Sequence, residues 1–176
     1  MNFTAGHKVV HKTHGVGEIQ GIEVLSLDGQ QQDFYILKIF ETGLTLRFPK
    51  SSGSMIRDLV SEEDIDSILS ILRENPKTHS AIWNRRKKEF SDKIRSGSVL
   101  DIAAVLRDLS GKDRLRQPSF GEKEMIERAR GRLISEIAAA RGMAPEMVED
   151  LLDGALASRM ASPCVELPEV SVSSGT

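Results

Sequence analysis

The hydrophobic pattern of this chain changes period once, near residue 60, and that single change limits the folds open to it. From Gly6 to Val60 the apolar residues come in short, nearly alternating runs broken by turn chemistry, the pattern of a small antiparallel sheet. A first strand is predicted over Lys8-Val9-Val10-His11, ended by Thr13-His14-Gly15, and a second from Val16 to about Leu25. Leu27-Asp28-Gly29-Gln30 then offers a tight hairpin, because Asp-Gly tolerates the positive backbone angles such a turn needs. Phe34 to Phe40 is rich in β-branched and aromatic residues, and Glu41-Thr42-Gly43 reverses the chain again. Leu44 to Phe48 alternates until Pro49, which has no N–H to give to a sheet ladder. Met55 to Val60 supplies a short fifth strand. Five such strands hide their edges best by curling into a small barrel.

After Ser61 the period becomes that of helices. Ser61, with Asp64 three residues on, reads as an N-cap, and Ile65, Ile68, Leu69 and Leu72 form one stripe before Asn75-Pro76. A second helix is predicted from about Thr78 to Arg95 and a third from Val99 to Leu109. The fourth opens at Ser119 with Glu122 in the capping-box position and runs to Gly142, and Pro145 starts a short last helix. The reading is therefore α+β: a barrel over 1–60, a helical domain over 61–142, and a short helix with an acidic tail, expected to be disordered, over 143–176.

No apolar run approaches the roughly 18 residues of a membrane helix, so no membrane partner is expected. The first residues, Met1 to Lys8, lack the basic and apolar segments of a secretory signal, and export is not expected either. Cys164 is the single cysteine, which agrees with a reducing compartment. The formal charge of -2 hides a segregation: residues 77–95 carry seven cations against Glu89 and Asp92, for +5, inside an otherwise acidic chain. That distribution points to a local contact with a polyanion.

Candidate catalytic sets are weak. His7, His11 and His14 have metal-like spacing only if helical, and in a strand His7 and His11 would stand about 13 Å apart. Gly15-Val16-Gly17 lacks the third glycine and the following helix of a dinucleotide site. No catalytic residue, cofactor or metal site is therefore expected. A hydrolase using the three histidines is kept as the enzyme-class alternative, to be revived by any metal-dependent turnover. In the basic segment, Ile82-Trp83-Asn84-Arg85-Arg86-Lys87-Lys88 sets the single tryptophan beside four cations. Two readings of Trp83 stand level on the pattern alone. It either anchors the helix with Phe90 and Ile94, or it projects as an aromatic flanked by the phosphate-binding groups Arg86 and Lys87.

Residues 3–141 resemble the CarD/CdnL family of bacterial transcription regulators, which bind RNA polymerase. The likeness rests on Phe3-x-x-Gly6-His7-x-Val9-Val10, His14-Gly15-Val16-Gly17, Ile22-Glu23, Phe34-Tyr35-x-Leu37, Leu44 to Pro49 and Ile56 to Val60. In the helical half it continues through Trp83-Asn84-Arg85-Arg86, Lys93-Ile94-x-Ser96-Gly97, Val105 to Leu109 and Gly121-Glu122-Lys123-x-Met125, in the same order. Two departures are His11-Lys12, where the family has an aromatic-proline pair, and Leu25, where some relatives carry a basic residue. The resemblance implies a Tudor-like barrel docking on the polymerase β subunit, with Arg47 as the contact and Leu46 and Leu27 beside it. It implies that Trp83 wedges into the minor groove at the upstream edge of the transcription bubble while Arg85, Arg86 and Lys88 grip phosphates without sequence preference. The implied protein is a non-enzymatic, monomeric, cytoplasmic and nucleoid-associated factor that stabilises the open promoter complex. The alternative is a polymerase-docking adaptor without significant DNA contact.

Overall fold

In a computed structural model, described over residues 3–27, 29–77, 83–111 and 117–158 and for the backbone alone at Leu27, Ser54 and Trp83, the change of period becomes a change of architecture. Strands β1 (Lys8–His11), β2 (Gly15–Leu27), β3 (Gln30–Ile39), β4 (Thr45–Pro49) and β5 (Ile56–Asp58) come first. Helices α1 (Glu62–Arg73), α2 (Trp83–Ser96), α3 (Val99–Ser110), α4 (Phe120–Arg141) and α5 (Pro145–Ser158) follow. Asp28, the predicted first turn of the second helix at Thr78 to Ile82, and the predicted tail with Cys164 lie outside the described residues.

All strand pairings are antiparallel, in the order β4-β3-β2-β1-β5. Leu27 pairs with Gln30, so β2 and β3 form a hairpin in which Gly29 takes φ +79, and β2 runs two residues past its predicted end. The register slips between Ile19 and Gly21, a bulge that bends this long hairpin. The two edge strands, β4 and β5, are joined by one 3-10 turn over Lys50–Met55. Six residues of that turn span only about 12 Å. A flat five-stranded sheet would hold its edges about 19 Å apart. The sheet is therefore curled, around a core that includes Val9, Ile19, Tyr35, Leu37, Ile39 and Phe48. The buried Tyr35 hydroxyl accepts the Phe3 N–H at 3.2 Å, tying the N-terminal segment to that core. In the Gly15-Val16-Gly17 run the last glycine has a steric role: a Cβ there would lie 2.6 Å from the Lys38 carbonyl oxygen, so only glycine lets β3 come this close.

The helices pack as a second core. The predicted capping box at Ser119 is present, and the predicted N-cap at Ser61 is a full box as well: each serine accepts the N–H of the third residue on, and the Asp64 and Glu122 carboxylates return the bond. Ile65, Ile68, Leu69 and Leu72 are buried as one stripe of α1. Read from sequence as separate from the bundle, α5 is part of it, because Val148, Leu152 and Ala155 enter the same core and Arg130 of α4 holds Asp153 at 2.6 and 2.7 Å.

The departure from the family pattern at His11 has a structural counterpart. The imidazole is 5% exposed and stands edge-on to Phe48 with ring centres 6.1 Å apart, so it fills an aromatic slot. Its Nδ1 accepts the N–H groups of Thr13 at 3.2 Å and His14 at 3.3 Å, which shapes the β1–β2 turn. Burial, helped by the His14 ring and the Arg132 guanidinium, holds His11 below the ordinary histidine range. The unfolded chain therefore takes up this proton near pH 6.5, before the folded chain does, and stability falls as the pH drops through that region. Asparagine at this position would keep an acceptor for the turn and would not titrate. His11→Asn is expected to show a shallower fall in melting temperature between about pH 7 and 5 than the wild type. Equal slopes would contradict this account.

Candidate functional site

The site is built outward from α2. The connector leading to this helix is held by a buried ionic knot on α3: Arg107 Nε donates to Asp108 Oδ1 at 2.7 Å and Arg107 Nη1 to Glu74 Oε2 at 2.7 Å. Asp108 Oδ1 also accepts the Lys77 N–H at 2.9 Å. Pro76 packs so closely on Gly111 that a Cβ there would lie 2.5 Å from the ring. The start of the connector is thereby fixed to α3. Along α2, Phe90 and Ile94 are buried in the helical core, and Arg85, Lys87, Lys88 and Arg95 are exposed. One face of the helix is thus locked, and the other carries these cations with the exposed acids Glu89 and Asp92 among them, Glu89 paired with Lys93 at 3.2 Å.

Arg86 departs from its predicted place. It lies on the line of Phe90 and Ile94, four residues from the first, and turns inward to pair with Glu122 Oε1 at 3.5 Å, with side chains 11% and 7% exposed. Glu122 is also the carboxylate of the α4 capping box, so one acid serves both α2 and α4. Sequence reading put Arg86 and Lys87 together on one outer face; the structure separates them, because the four-residue step from Arg86 to Phe90 carries Arg86 to the packed side. The seven-residue step from Trp83 to Phe90 brings the Trp83 backbone to that side too, at the first turn of α2. The side chain of Trp83 lies outside the described residues. Lys87 and Arg95 are exposed cations that the predicted DNA set of Arg85, Arg86 and Lys88 left out.

On the barrel, Arg47 stands on β4, whose only partner among the described strands is β3, and Ile36 lies across from it. Its side chain is exposed and its Nε contacts Glu23 Oε2 of β2 at 3.1 Å. Leu46 points the other way and packs half-buried against the barrel core. The side chain of Leu27 lies outside the described residues. The histidines go to different tasks: His7 Nε2 faces Asp58 Oδ1 at 3.2 Å, while the rings of His11 and His14 lie 4.9 Å apart.

The residues least visible in the sequence join the two halves. Arg57 of β5 reaches both oxygens of Glu136 on α4, at 2.9 Å from Nη2 to Oε2 and closer from Nη1 to Oε1. The same guanidinium donates to the Gly97 carbonyl at 3.0 and 3.3 Å, at the end of α2. One turn along α4, Arg132 donates to the carbonyls of Lys12, at 2.8 Å, and Thr13 in the β1–β2 turn. A charge pattern alone does not disclose such pairs, but an arginine in a three-residue strand and an acid within an apolar stretch of α4 were signals available to find them.

The family models of the CarD-like/TRCF RID domain and the CarD C-terminal domain match residues 3–60 and 67–153. The chain is 27% identical over 149 residues to YdeB of Bacillus subtilis (strain 168), named as a candidate transcription factor, covering 84% of this chain and 97% of that protein. It is 28% identical over 127 residues to the transcription-repair-coupling factor of Rickettsia conorii (strain ATCC VR-613 / Malish 7), covering 72% of this chain but 10% of that protein. The solved structure of CdnLNt from Myxoccoccus xanthus is 38% identical and covers 35% of this chain and 90% of its own, with a TM-score of 0.31. With its strands and its helices matched in order by that family's two domains, the chain belongs to the CarD family of transcription regulators.

Proposed function

We propose that the barrel docks on the β subunit of RNA polymerase and that α2 then contacts promoter DNA at the upstream edge of the melted region, stabilising the open complex. The observation that carries this reading is the division of α2, whose inner face is locked by Phe90, Ile94 and Arg86 while Arg85, Lys87 and Lys88 face solvent. Such a row suits the regular charges of a nucleic-acid backbone and carries no base-reading array, so the contact is to phosphates and to shape. An aromatic ring entering a step that is already unstacked avoids much of the few kcal/mol that kinking an intact duplex costs. Trp83, at the head of α2, would thereby favour the open state by binding it better than the closed one. Neither ATP nor a metal is needed for that, and one copy acting with polymerase works in the cytoplasm at the nucleoid.

Docking is supported by β4, an edge strand on which a polymerase strand can add. An exposed ion pair such as Arg47–Glu23 contributes only about 0–1 kcal/mol, so a partner carboxylate can take over Arg47 at little cost. A second reading is favoured by the Trp83 backbone lying on the packed side of α2: Trp83 anchors the helix and the chain is a docking adaptor. The two readings give opposite results for Trp83→Ala. As a wedge, it leaves the melting temperature nearly unchanged, retains polymerase and shortens the open-complex lifetime. As an anchor, it costs about 3–5 kcal/mol of helical stability.

Two further sets of variants follow from the same geometry. Arg47→Glu is expected to lose retention on polymerase without unfolding the barrel; retention equal to wild type would contradict the docking assignment. Arg85→Ala and Lys88→Ala should change stability by less than about 0.5 kcal/mol and each flatten the log-log salt dependence of duplex binding by about one unit. Arg86→Ala, which removes one buried partner of a carboxylate that keeps its bonds to Ser119, should cost about 1–3 kcal/mol. Equal stability losses for all three would contradict the inward placement of Arg86.

A further inference from the structure

A short linker between small domains ordinarily leaves them free to move, since interfaces of that kind are modest in area and polar. Here the linker from β5 to α1 is held from both sides. Val60 is buried in the helical core, and three residues before it Arg57 reaches both oxygens of Glu136. Arg57 also grips the Gly97 carbonyl, and Gly97 is the residue that follows α2. At Gly97 the chain has φ +76, and a Cβ would lie 3.2 Å from Lys12 Cγ and 3.4 Å from Lys12 Cα, so the end of α2 sits directly against the β1–β2 turn. Arg132 holds that same turn by two carbonyls. Glu136 and Arg132 are four apart on α4 and therefore on one face, so a single helix face grips β5 and the β1–β2 turn.

A cavity of about 300 Å³ lies along this joint, lined by Val10, Val16, Phe40, Ile102 and Ala139. Its most buried polar groups, Arg57, Glu136 and Arg132, are already spent on one another and on backbone carbonyls, which makes it a seam between two bodies. The chemistry of the joint is that of an alignment device. Its bonds are directional and two-pronged, and they end at the last residue of the turn that closes the DNA-facing helix.

We propose that Arg57, Glu136 and Arg132 are positioning residues that set the angle at which α2 is presented to DNA once the barrel is seated on polymerase. This rests on the docking-and-wedge reading above. Alignment matters there because a contact made to a melted step by a protein tethered elsewhere is productive only in a narrow range of geometries, and misplacement by about 1 Å costs up to a hundredfold. The three residues touch neither partner in this scheme. Their loss should separate binding from function: each half keeps its own partner while the joint effect disappears.

The test uses the full chain with polymerase and a promoter fragment, comparing wild type with Glu136→Gln and, separately, Arg132→Gln. Backbone nitrogen relaxation reports whether strands and helices tumble as one body. Retention on polymerase, duplex affinity and open-complex lifetime report the rest. Both variants should retain polymerase and bind duplex as wild type does, tumble as two bodies, and lose about tenfold of the lifetime gain. A residue that merely supported folding would lower all these readouts together, a result that would overturn the proposal. It would be overturned equally by two-body tumbling with a wild-type lifetime, or by one-body tumbling in both variants. If Glu136→Gln unfolds the helices, Arg132→Gln, whose side chain belongs to neither core, decides alone. A wild-type chain that gives no lifetime gain would remove the docking-and-wedge reading itself, an outcome distinct from the others because it needs no variant.

Discussion

Glu136 is only 4% exposed at the meeting of β5 and α4, and the relation of the two halves depends on how its charge is satisfied. Taking such an ion out of water costs several kcal/mol, which only close and numerous partners can offset. Burial pushes its carboxyl above the ordinary range, while Arg57 and the Val60 N–H pull it back down. Arg57 belongs to the sheet and Glu136 to the helical core, so the cost of leaving the ion unpaired is what holds the two halves together. An apolar joint would stabilise as well but would tolerate sliding; a two-pronged arginine does not.

Everything with a surface role hangs from this joint. The barrel offers β4 and Arg47 on one side, and α2 offers Arg85, Lys87 and Lys88 on the other. The two ionic systems within the helices act in series with it. Arg107 and Asp108 fix the connector before α2, and Arg86 with Glu122 fixes α2 against α4. Buried charge is weak evidence for stability, and replacing it by packed apolar groups is often neutral. Its concentration around one helix and one joint is better understood as orientation, because the proposed function needs two surfaces at a set separation.

What was legible in the sequence was local. Alternation in the first sixty residues shows the strands because pleat and period are the same fact, and Asp28-Gly29 marks the hairpin because its turn demands those residues. Ser61 and Ser119 mark helix starts because the cap and its acid are three residues apart. Arg57 and Glu136 are 79 positions apart, and nothing in either neighbourhood names the other. Helical spacing puts Arg86 beside Trp83, three residues away, with Lys87 at four, but the same helix also puts Arg86 four residues from Phe90, and the packed side holds it. The family likeness carried the order of motifs, and it was silent on the joint that sets their geometry.

The central claim is that a polymerase-docked chain places α2 on melted DNA. A photo-crosslinking amino acid at position 88, in the full chain bound to polymerase and promoter, tests it most directly. The account predicts crosslinks to DNA at the upstream edge of the melted region, appearing when the promoter opens and absent on free duplex at the same salt. Crosslinks confined to polymerase, or spread evenly along duplex with or without it, would contradict the account.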